Sequence, residues 1–266
     1  MTFLLVCKGE MAKQRRNYFS TWSTYISLLL WPILTVGTVI YSYKSFDVSM
    51  LNVIGIHSES DLWIFLLTGF LCYNCFWVMV QSAFFMQRER QNGTLETIFL
   101  APAPRLAIMY GRSLGALFQS TWILLLYTVA VLLIQRDKIV GVIVTLPVVY
   151  IIVIVSAVCW GGFINSIFVI SRDIDFWFSL CDEPMKLLAG VSLPVKIMPM
   201  ILRVISAIFP LTYSLEIIRQ LLVGGGIDFY VLSKYIIANL VVVAITAFIL
   251  SKAEQNNRVT GNLSLY

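Results

Sequence analysis

The segment LWIFLLTGFLCYNCFWVMVQSAFFMQ, residues 62–87, contains no charged residue over 26 positions. A helix needs about 20 apolar residues to cross the ~30 Å hydrocarbon core of a bilayer, so this segment is long enough to span it. Its apolar residues are continuous rather than alternating, which excludes the strand pattern of a membrane barrel. The segment therefore predicts a membrane-spanning α-helix.

The composition extends this prediction to the whole chain. Hydrophobic residues make up 59% of the 266 residues and charged residues 12%, whereas soluble domains contain about 45–50% and 25% respectively. The net charge of +5 does not indicate nucleic-acid binding, because the basic residues lie at the ends of apolar runs, where membrane topology explains them. We expect a protein that contacts membrane lipid and no nucleic acid.

Six apolar segments predict six membrane-spanning helices in a single domain over residues 1–266. The predicted spans are residues 21–43, 62–87, 106–134, 139–170, 176–194 and 229–250. Residues 2–19 mix apolar and basic positions and predict an amphipathic helix that lies along the membrane surface. The expected fold class is an all-α polytopic membrane protein.

Residues 195–226 do not predict a regular span. Prolines interrupt this stretch, and three consecutive glycines close it. Irregular backbone at membrane depth is stable only where it is buried against protein or lines a cavity. We therefore predict short re-entrant helices that dip into the outer leaflet from the extracellular side, before the last span.

The distribution of basic residues predicts the orientation of the chain. If the N-terminus is cytoplasmic, the inner segments carry more lysine and arginine than the outer ones, as the positive-inside rule requires. Both termini are then cytoplasmic, and the expected location is the cell membrane, most simply a bacterial plasma membrane.

No catalytic site or metal site can be assembled from the sequence. The phosphate-binding pattern Gly-x-x-x-x-Gly-Lys-Ser/Thr is absent, so the chain cannot bind and hydrolyse ATP by that mechanism. His57 is the only histidine, which excludes a histidine-based metal site and a Ser-His-Asp triad. Asp182 and Glu183 are adjacent and so point to different faces of a helix. We predict no catalytic residue, no metal and no cofactor in this chain.

Residues 88–104, RERQNGTLETIFLAPAP, form the most charged internal segment. Asn92-Gly93 predicts a turn, and Thr94 is predicted to cap a short helix with Glu96 in its first turn. The helix has an apolar face and ends at two prolines. A short amphipathic helix between two spans is a surface that another protein can bind; the alternative is a helix that rests on lipid headgroups.

Two blocks of residues resemble a known family. The pattern Arg88-Glu89-Arg90-x-x-Gly93-Thr94-Leu95-Glu96-x-Ile98-x-x-x-Pro102 resembles the signature loop of the ABC-2 family of exporter permeases. The second block, which is similar to that family's fifth span and extracellular re-entrant helices, contains Pro194, Pro199, Pro210, Tyr213, Glu216 and Arg219. With the number of spans, the resemblance covers essentially the whole chain.

The resemblance implies a mechanism. Two permeases, either two copies or this chain and a paralogous permease, would form the membrane core, and a pair of separate ABC ATPase subunits would bind ATP and Mg²⁺ below them. Residues 93–100 would form the coupling helix on the ATPase, and residues 2–19 the connecting helix beside it. The family acid at this junction would be Glu89, paired with Arg15 or Arg16. Closure of the ATPase dimer would then move the permeases between inward-open and outward-open states.

One segment departs from the family pattern. Asp182, Glu183 and Lys186 lie in the predicted fifth span, where each charge costs about 2.5–3.5 kcal/mol at mid-bilayer on insertion scales. Asp182 and Lys186 are four residues apart, so we predict that they pair on one helix face. The three residues either line a pathway for a polar or cationic substrate or serve a structural role within the bundle.

The function that the sequence favours is the permease subunit of an ABC exporter that has no ATP-binding motif of its own. Its substrate would be hydrophobic, lipid-linked or similar to a drug or peptide. The alternatives are an ion-coupled secondary transporter, which Asp182 and Glu183 would serve, and a membrane-embedded enzyme or assembly factor.

Overall fold

The computed structural model describes residues 2–18, 21–43, 59–134, 139–171, 174–223 and 226–260. Residue 19, His57 and residues 224–225, on which parts of the predictions fall, lie outside this set. Over the described residues the chain forms α-helices, one short 3₁₀ helix at Val195–Ile197 and no strands. The helices are α1 (Phe3–Tyr18), α2 (Trp22–Tyr43), α3 (Glu59–Gln91), α4 (Thr94–Leu100), α5 (Arg105–Gly115), α6 (Leu117–Ile134), α7 (Ile139–Ile170), α8 (Ile174–Leu188), α9 (Met200–Ser206), α10 (Pro210–Val223) and α11 (Phe229–Thr260).

Four helical segments of the described chain are long and apolar enough to cross a membrane. They are Asp61–Gln91, Arg105–Ile134, Ile143–Val169 and Phe229–Ala253, and they coincide with the second, third, fourth and sixth predicted spans. Helices α9 and α10 pass the same test together but are bent by 95°, which is the geometry of a broken span or a re-entrant loop. Over the described residues the structure thus confirms an all-α membrane protein with four candidate spans, or five if the bent pair is one span.

The other two predicted spans are present as helices but are not among these four. The first coincides with α2, a 22-residue helix with Pro32 inside it. The fifth, predicted over residues 176–194, is wrong at its C-terminal end, because α8 stops at Leu188 after 15 residues. At 1.5 Å per residue α8 is about 22 Å long, less than the hydrocarbon thickness. The helix cannot continue because Gly190 has a left-handed φ of 87°.

Helix α3 lies at the centre of the bundle. In its most apolar window 78% of the residues are buried, against 28–39% in the other three spans. It packs against α5, α6, α7 and α10, and Leu66, Phe76, Met79 and Ala83 are among its fully buried side chains. The outward faces of α6, α7 and α11 instead expose large apolar side chains, such as Leu133, Val144 and Phe248. Apolar surface of that extent is stable against lipid and not against water.

Polar side chains join the helices inside the bundle. The Asn165 amide of α7 donates to Ser82 Oγ of α3 at 3.0 Å and to Ser113 Oγ of α5 at 3.3 Å. At another position Ser156 Oγ of α7 accepts hydrogen bonds from Ser214 of α10 at 2.9 Å and Asn239 of α11 at 3.2 Å. Such interhelical hydrogen bonds fix the register of helices that have no hydrophobic drive to associate within lipid.

Candidate coupling site

The segment between α3 and α5 begins with a turn that depends on a glycine. The Gly93 N–H donates to the Arg90 carbonyl at 3.0 Å, and the Asn92 N–H donates to the Arg88 carbonyl at 2.9 Å. Gly93 has φ 68° and ψ 6°, a left-handed conformation that costs other residues free energy. No atom lies within 4 Å of a Cβ built on Gly93, so the backbone angle, not space, requires glycine here.

The short helix α4 follows directly and presents two different faces. Leu95 is buried and Ile98 is half-buried, whereas Leu100 is 84% exposed. The prediction that Thr94 caps this helix is wrong: Gly93 is the N-cap residue, and the Thr94 hydroxyl donates to the Glu89 carbonyl at 3.1 Å. Because Gly93 takes the left-handed turn conformation, Thr94 already belongs to the helix. The side chain of Glu96 lies outside the described residues.

Four charged side chains meet where α3 ends, and we refer to Glu10, Lys13, Glu89 and Arg112 as the charge cluster. Lys13 Nζ lies 2.7 Å from Glu10 Oε2 and 2.8 Å from Glu89 Oε1. Arg112 donates from Nη2 to Glu89 Oε2, and its Nε lies 3.8 Å from Glu10 Oε2. Each carboxylate is thus within ion-pair distance of both cations, so the formal charges of the four residues cancel.

The charge cluster is buried. Arg112 has no exposed surface, Glu89 is 7% exposed and Glu10 9%, while the Lys13 side chain is 28% exposed. Taking charges out of water costs several kcal/mol per ion, which the mutual attraction offsets only with good hydrogen-bond geometry. Each member of the charge cluster therefore depends on its partners, and this couples α1, α3 and α5.

Two glycines bring α1 close enough to α5 for these contacts to form. A Cβ on Gly111 would lie 2.9 Å from Glu10 Cβ, and one on Gly115 would lie 2.7 Å from Gln14 Cγ. Real Cβ atoms do not approach so closely, so a larger residue at either position would push α1 outward. The four-residue spacing of Gly111 and Gly115 is the small-xxx-small pattern of close helix packing.

The structure corrects the predicted partners of Glu89. Arg15 and Arg16 are both exposed, and the cations at Glu89 are Lys13 of α1 and Arg112 of α5. At about 100° per residue, Lys13 lies about 60° from Glu10 around α1, whereas Arg15 and Arg16 lie about 140° and 120° away. They therefore point away from the junction.

The buried face of α1 also differs from the prediction. It carries Cys7, Glu10 and Gln14, whereas Phe3 and Leu4, apolar residues of the predicted amphipathic helix, are exposed. Cys7 Sγ donates to the Ala107 carbonyl of α5 at 3.3 Å. Helix α1 is therefore held to the bundle mainly by polar and small side chains, because the surface that it meets contains glycines and charges.

Arg112 was missed as a site residue. Its signal was present, since an arginine seven residues inside a predicted apolar span needs a carboxylate partner.

Arg90 links the same segment to another helix. Its guanidinium donates to the carbonyls of Phe168 at 2.9 Å, Val169 at 3.2 Å and Ser171 at 3.1 Å. These carbonyls lie at the C-terminal end of α7, where unpaired carbonyls and the helix dipole favour a cation. Glu89 and Arg90, adjacent in sequence, thus tie the end of α3 to α1 and α5 on one side and to α7 on the other.

The predicted pair of Asp182 and Lys186 does not form. The Tyr73 hydroxyl of α3 donates to Asp182 Oδ2 at 2.8 Å, and Asp182 is 5% exposed. Glu183 and Lys186 are exposed on α8, and no ion pair within the described chain joins Lys186 to Asp182. The short side chain of Asp182 reaches the Tyr73 hydroxyl within the contact between α8 and α3. The longer side chain of Lys186 places its ammonium group outside this contact.

The proline-rich block builds the bent region after α8. Pro194 and Pro199 precede the 3₁₀ helix and α9 as their N-cap residues, and Pro210 begins α10. Tyr213 donates from its hydroxyl to the Ala207 carbonyl at 3.2 Å across the bend, and Glu216 is half-buried. Prolines suit these positions because the first helical residues need no intrahelical N–H donor.

Arg219 anchors this region to α3. It donates to the carbonyls of Gly190 at 2.8 Å and Val191 at 3.3 Å, which follow α8, and to the Phe65 carbonyl of α3 at 3.1 Å. Its guanidinium also lies 3.5 Å from the centroid of the Phe65 ring, a cation–π contact. A Cβ on Gly69 would lie 2.9 Å from the Val191 carbonyl carbon, so glycine allows the loop to rest directly on α3.

Comparison with known proteins assigns the chain to a family. The family model described as ABC-2 type transporter matches residues 1–223, which include the charge cluster, α4 and the bent region. Comparison with curated proteins gives no match. Members of this family are membrane-spanning transport subunits that work with an ABC ATPase subunit. Because the match covers most of the chain and the helices are those of a multi-pass membrane protein, the protein belongs to the ABC-2 type transporter family and is a membrane transport permease.

Proposed function

We propose that this chain is the permease of an ABC exporter and that a separate ATPase subunit drives it through α4. The observation that supports this most directly is the charge cluster, which joins the end of α3 to α1 and α5 immediately before α4 begins. In this proposal α4 is the coupling helix, α1 is the connecting helix, and ATP and Mg²⁺ bind only to the ATPase.

The exposed side of α4 would be the surface that the ATPase contacts. Leu100 is 84% exposed at the end of this helix, while Leu95 on the opposite side is buried and holds α4 to the bundle. An apolar side chain on a short, firmly anchored helix suits a groove on a partner protein.

The contacts of Glu89 and Arg90 would carry the motion of α4 into the membrane. A displacement of α4 pulls on Gly93 and hence on the end of α3. Glu89 would transmit this displacement to α1 and α5, and Arg90 to the end of α7. Since packed helices move as rigid bodies, one ATP-driven displacement at this end would shift several spans together.

The remaining parts of the proposal concern topology and substrate. Both termini and the charge cluster would be cytoplasmic, in the plasma membrane of a bacterium, and α9 and α10 would be extracellular re-entrant helices. Two permeases, identical or paralogous, would enclose the pathway, with Asp182, Glu183 and Lys186 along it. The substrate would be hydrophobic, lipid-linked or similar to a drug or peptide.

The test is reconstitution of the chain with a candidate ABC ATPase subunit from the same organism, in proteoliposomes. We expect no ATP hydrolysis by the chain alone and ATP-dependent transport only in the complex. Leu100→Glu should weaken ATPase binding at least tenfold, whereas Ala12→Glu, which places the same charge on the exposed surface of α1, serves as a control for added charge.

Two results would contradict the proposal. One is specific ATP hydrolysis by the isolated chain. The other is transport that proceeds without ATP and follows an imposed ion gradient, which would establish the ion-coupled alternative.

A further inference from the structure

The Asp182 carboxylate lies in the contact between α8 and α3, and among the described residues no cation is within ion-pair distance of it. Asp182 is 5% exposed, and Oδ2 accepts the hydrogen bond of Tyr73. Oδ1 is buried and has no hydrogen-bond partner within the described residues. A buried carboxylate with an unused oxygen is expensive, and an ionisable residue inside a membrane bundle is by default a candidate functional group.

The surroundings of Asp182 favour a cation over an anion. Tyr73 and Trp77 of α3 both direct their polar O–H or N–H groups at this carboxylate, and their rings are of the types that bind organic cations. Lys186, one turn further along α8, is exposed and does not form an ion pair with it. Together with the exposed Glu183, the three charges sum to −1, so the local field attracts a positive charge.

A groove lies on the same helix, further toward its C-terminal end than Tyr73 and Trp77. It has a volume of about 450 Å³, within the range of about 300–1,000 Å³ typical of small-molecule sites. Its lining residues all belong to α3 and combine aromatic rings and amides with one guanidinium, that of Arg88: Gln81, Phe84, Phe85, Gln87, Arg88 and Gln91. Gln81 lies one helical turn from Trp77, so the end of the groove and the Asp182 site share one face of α3.

We propose that Asp182, Tyr73 and Trp77 form a binding site for an organic cation, a protonated amine or quaternary ammonium on an aromatic or apolar body. The body would occupy the groove between Phe84 and Gln81, and the cationic group would contact the free Oδ1 of Asp182. This site rests on the proposed function only for its role in export, since binding itself needs neither ATP nor the ATPase. It narrows the substrate class to lipophilic cations.

The test measures binding to the full chain in lipid nanodiscs with two fluorescent probes of similar aromatic character. Ethidium is a permanent cation, and N-phenyl-1-naphthylamine is neutral. We expect saturable ethidium binding that Asp182→Asn weakens at least tenfold, while binding of the neutral probe changes less than twofold. Asp228→Asn makes the same chemical change on an exposed aspartate before α11 and should leave ethidium binding unchanged.

A second measurement uses only the unmodified chain, in case Asp182→Asn does not fold. Dicyclohexylcarbodiimide reacts with buried carboxyl groups, and mass spectrometry reports its adduct on Asp182. Ethidium should reduce this labelling at least threefold at saturation, and the neutral probe should not.

Three results would overturn the inference: ethidium binding that survives Asp182→Asn, an equal loss on Glu183→Gln, which would show a general charge effect, or labelling of Asp182 that ethidium does not change. A complex that transports other substrates but fails these tests would refute the cation site and leave the proposed function intact. A chain that binds ethidium through Asp182 but shows no ATP-driven transport with the ATPase would refute the proposed function and leave the cation site intact.

Discussion

The charge cluster allows a quantitative prediction about Glu89 and Arg112. In the Glu89→Leu variant, Arg112 loses the carboxylate with which it forms its hydrogen bond and keeps only the 3.8 Å contact with Glu10. Because Arg112 is fully buried, we expect the loss to approach the cost of an uncompensated buried charge, about 3–5 kcal/mol of unfolding free energy. Arg112→Leu should cost a similar amount, because Glu89 then depends on Lys13 alone.

The double variant Glu89→Leu/Arg112→Leu should recover most of this loss. It removes one charge of each sign and leaves Glu10 and Lys13 as a 2.7 Å pair. Replacing a buried ion pair with apolar residues of similar volume is often neutral or stabilising. If each single variant costs about 3–5 kcal/mol and the double variant costs less than either, the coupling energy exceeds about 3 kcal/mol, at or above the upper end of the range for residues in contact.

The assay is unfolding of the purified chain in mixed micelles for the wild type, both single variants and the double variant. Transport by the complex with the ATPase then separates stability from coupling. The double variant should be stable but should transport poorly, because α3 is no longer held to α5 by this contact. Losses that simply add in the double variant would show that the two side chains do not interact, and would refute the reasoning.

Three further predictions follow from single contacts. Gly93→Ala should lower ATP-coupled transport while it reduces the free energy of unfolding by only about 1 kcal/mol, which is the cost of a left-handed residue other than glycine. Gly93→Asn should restore part of the transport activity. Equal transport by the wild type and both variants would show that the turn is unimportant. Gly111→Val should displace α1 and expose Cys7 to a maleimide reagent, whereas unchanged labelling would contradict the close packing seen here. Asp182→Ala should lower the thermal stability, whereas Lys186→Ala should not. Because the two side chains form no ion pair in the structure, the double variant should be as unstable as Asp182→Ala. Recovery of stability in the double variant would instead support the pairing predicted from the sequence.

Much of the fold could be predicted because the signal is local. Continuous apolar segments such as residues 62–87 must form helices in lipid, since no other backbone conformation satisfies its own hydrogen bonds there. The turn at Gly93 and the short helix after it were predicted for the same reason, because glycine and proline act on their immediate neighbours. The end of α8 was misplaced because a residue such as Gly190 reveals its left-handed backbone only in the folded chain.

The partners of charged residues could not be predicted in this way. The sequence indicated that Glu89 needs a cation and that Asp182 is out of place in an apolar span, because those costs depend on residue type and depth alone. Which side chains meet them depends on how α1 lies on α5 and how α8 lies on α3. Gly111 and Gly115 determine how α1 lies on α5, because they let the two backbones approach. In the contact between α8 and α3, Asp182 meets the hydroxyl of Tyr73. Tertiary packing therefore determines that Glu89 pairs with Lys13 and Arg112 and not with Arg15 or Arg16. An ion pair forms between groups that are close in space, and the sequence determines which groups are close only within a single helix.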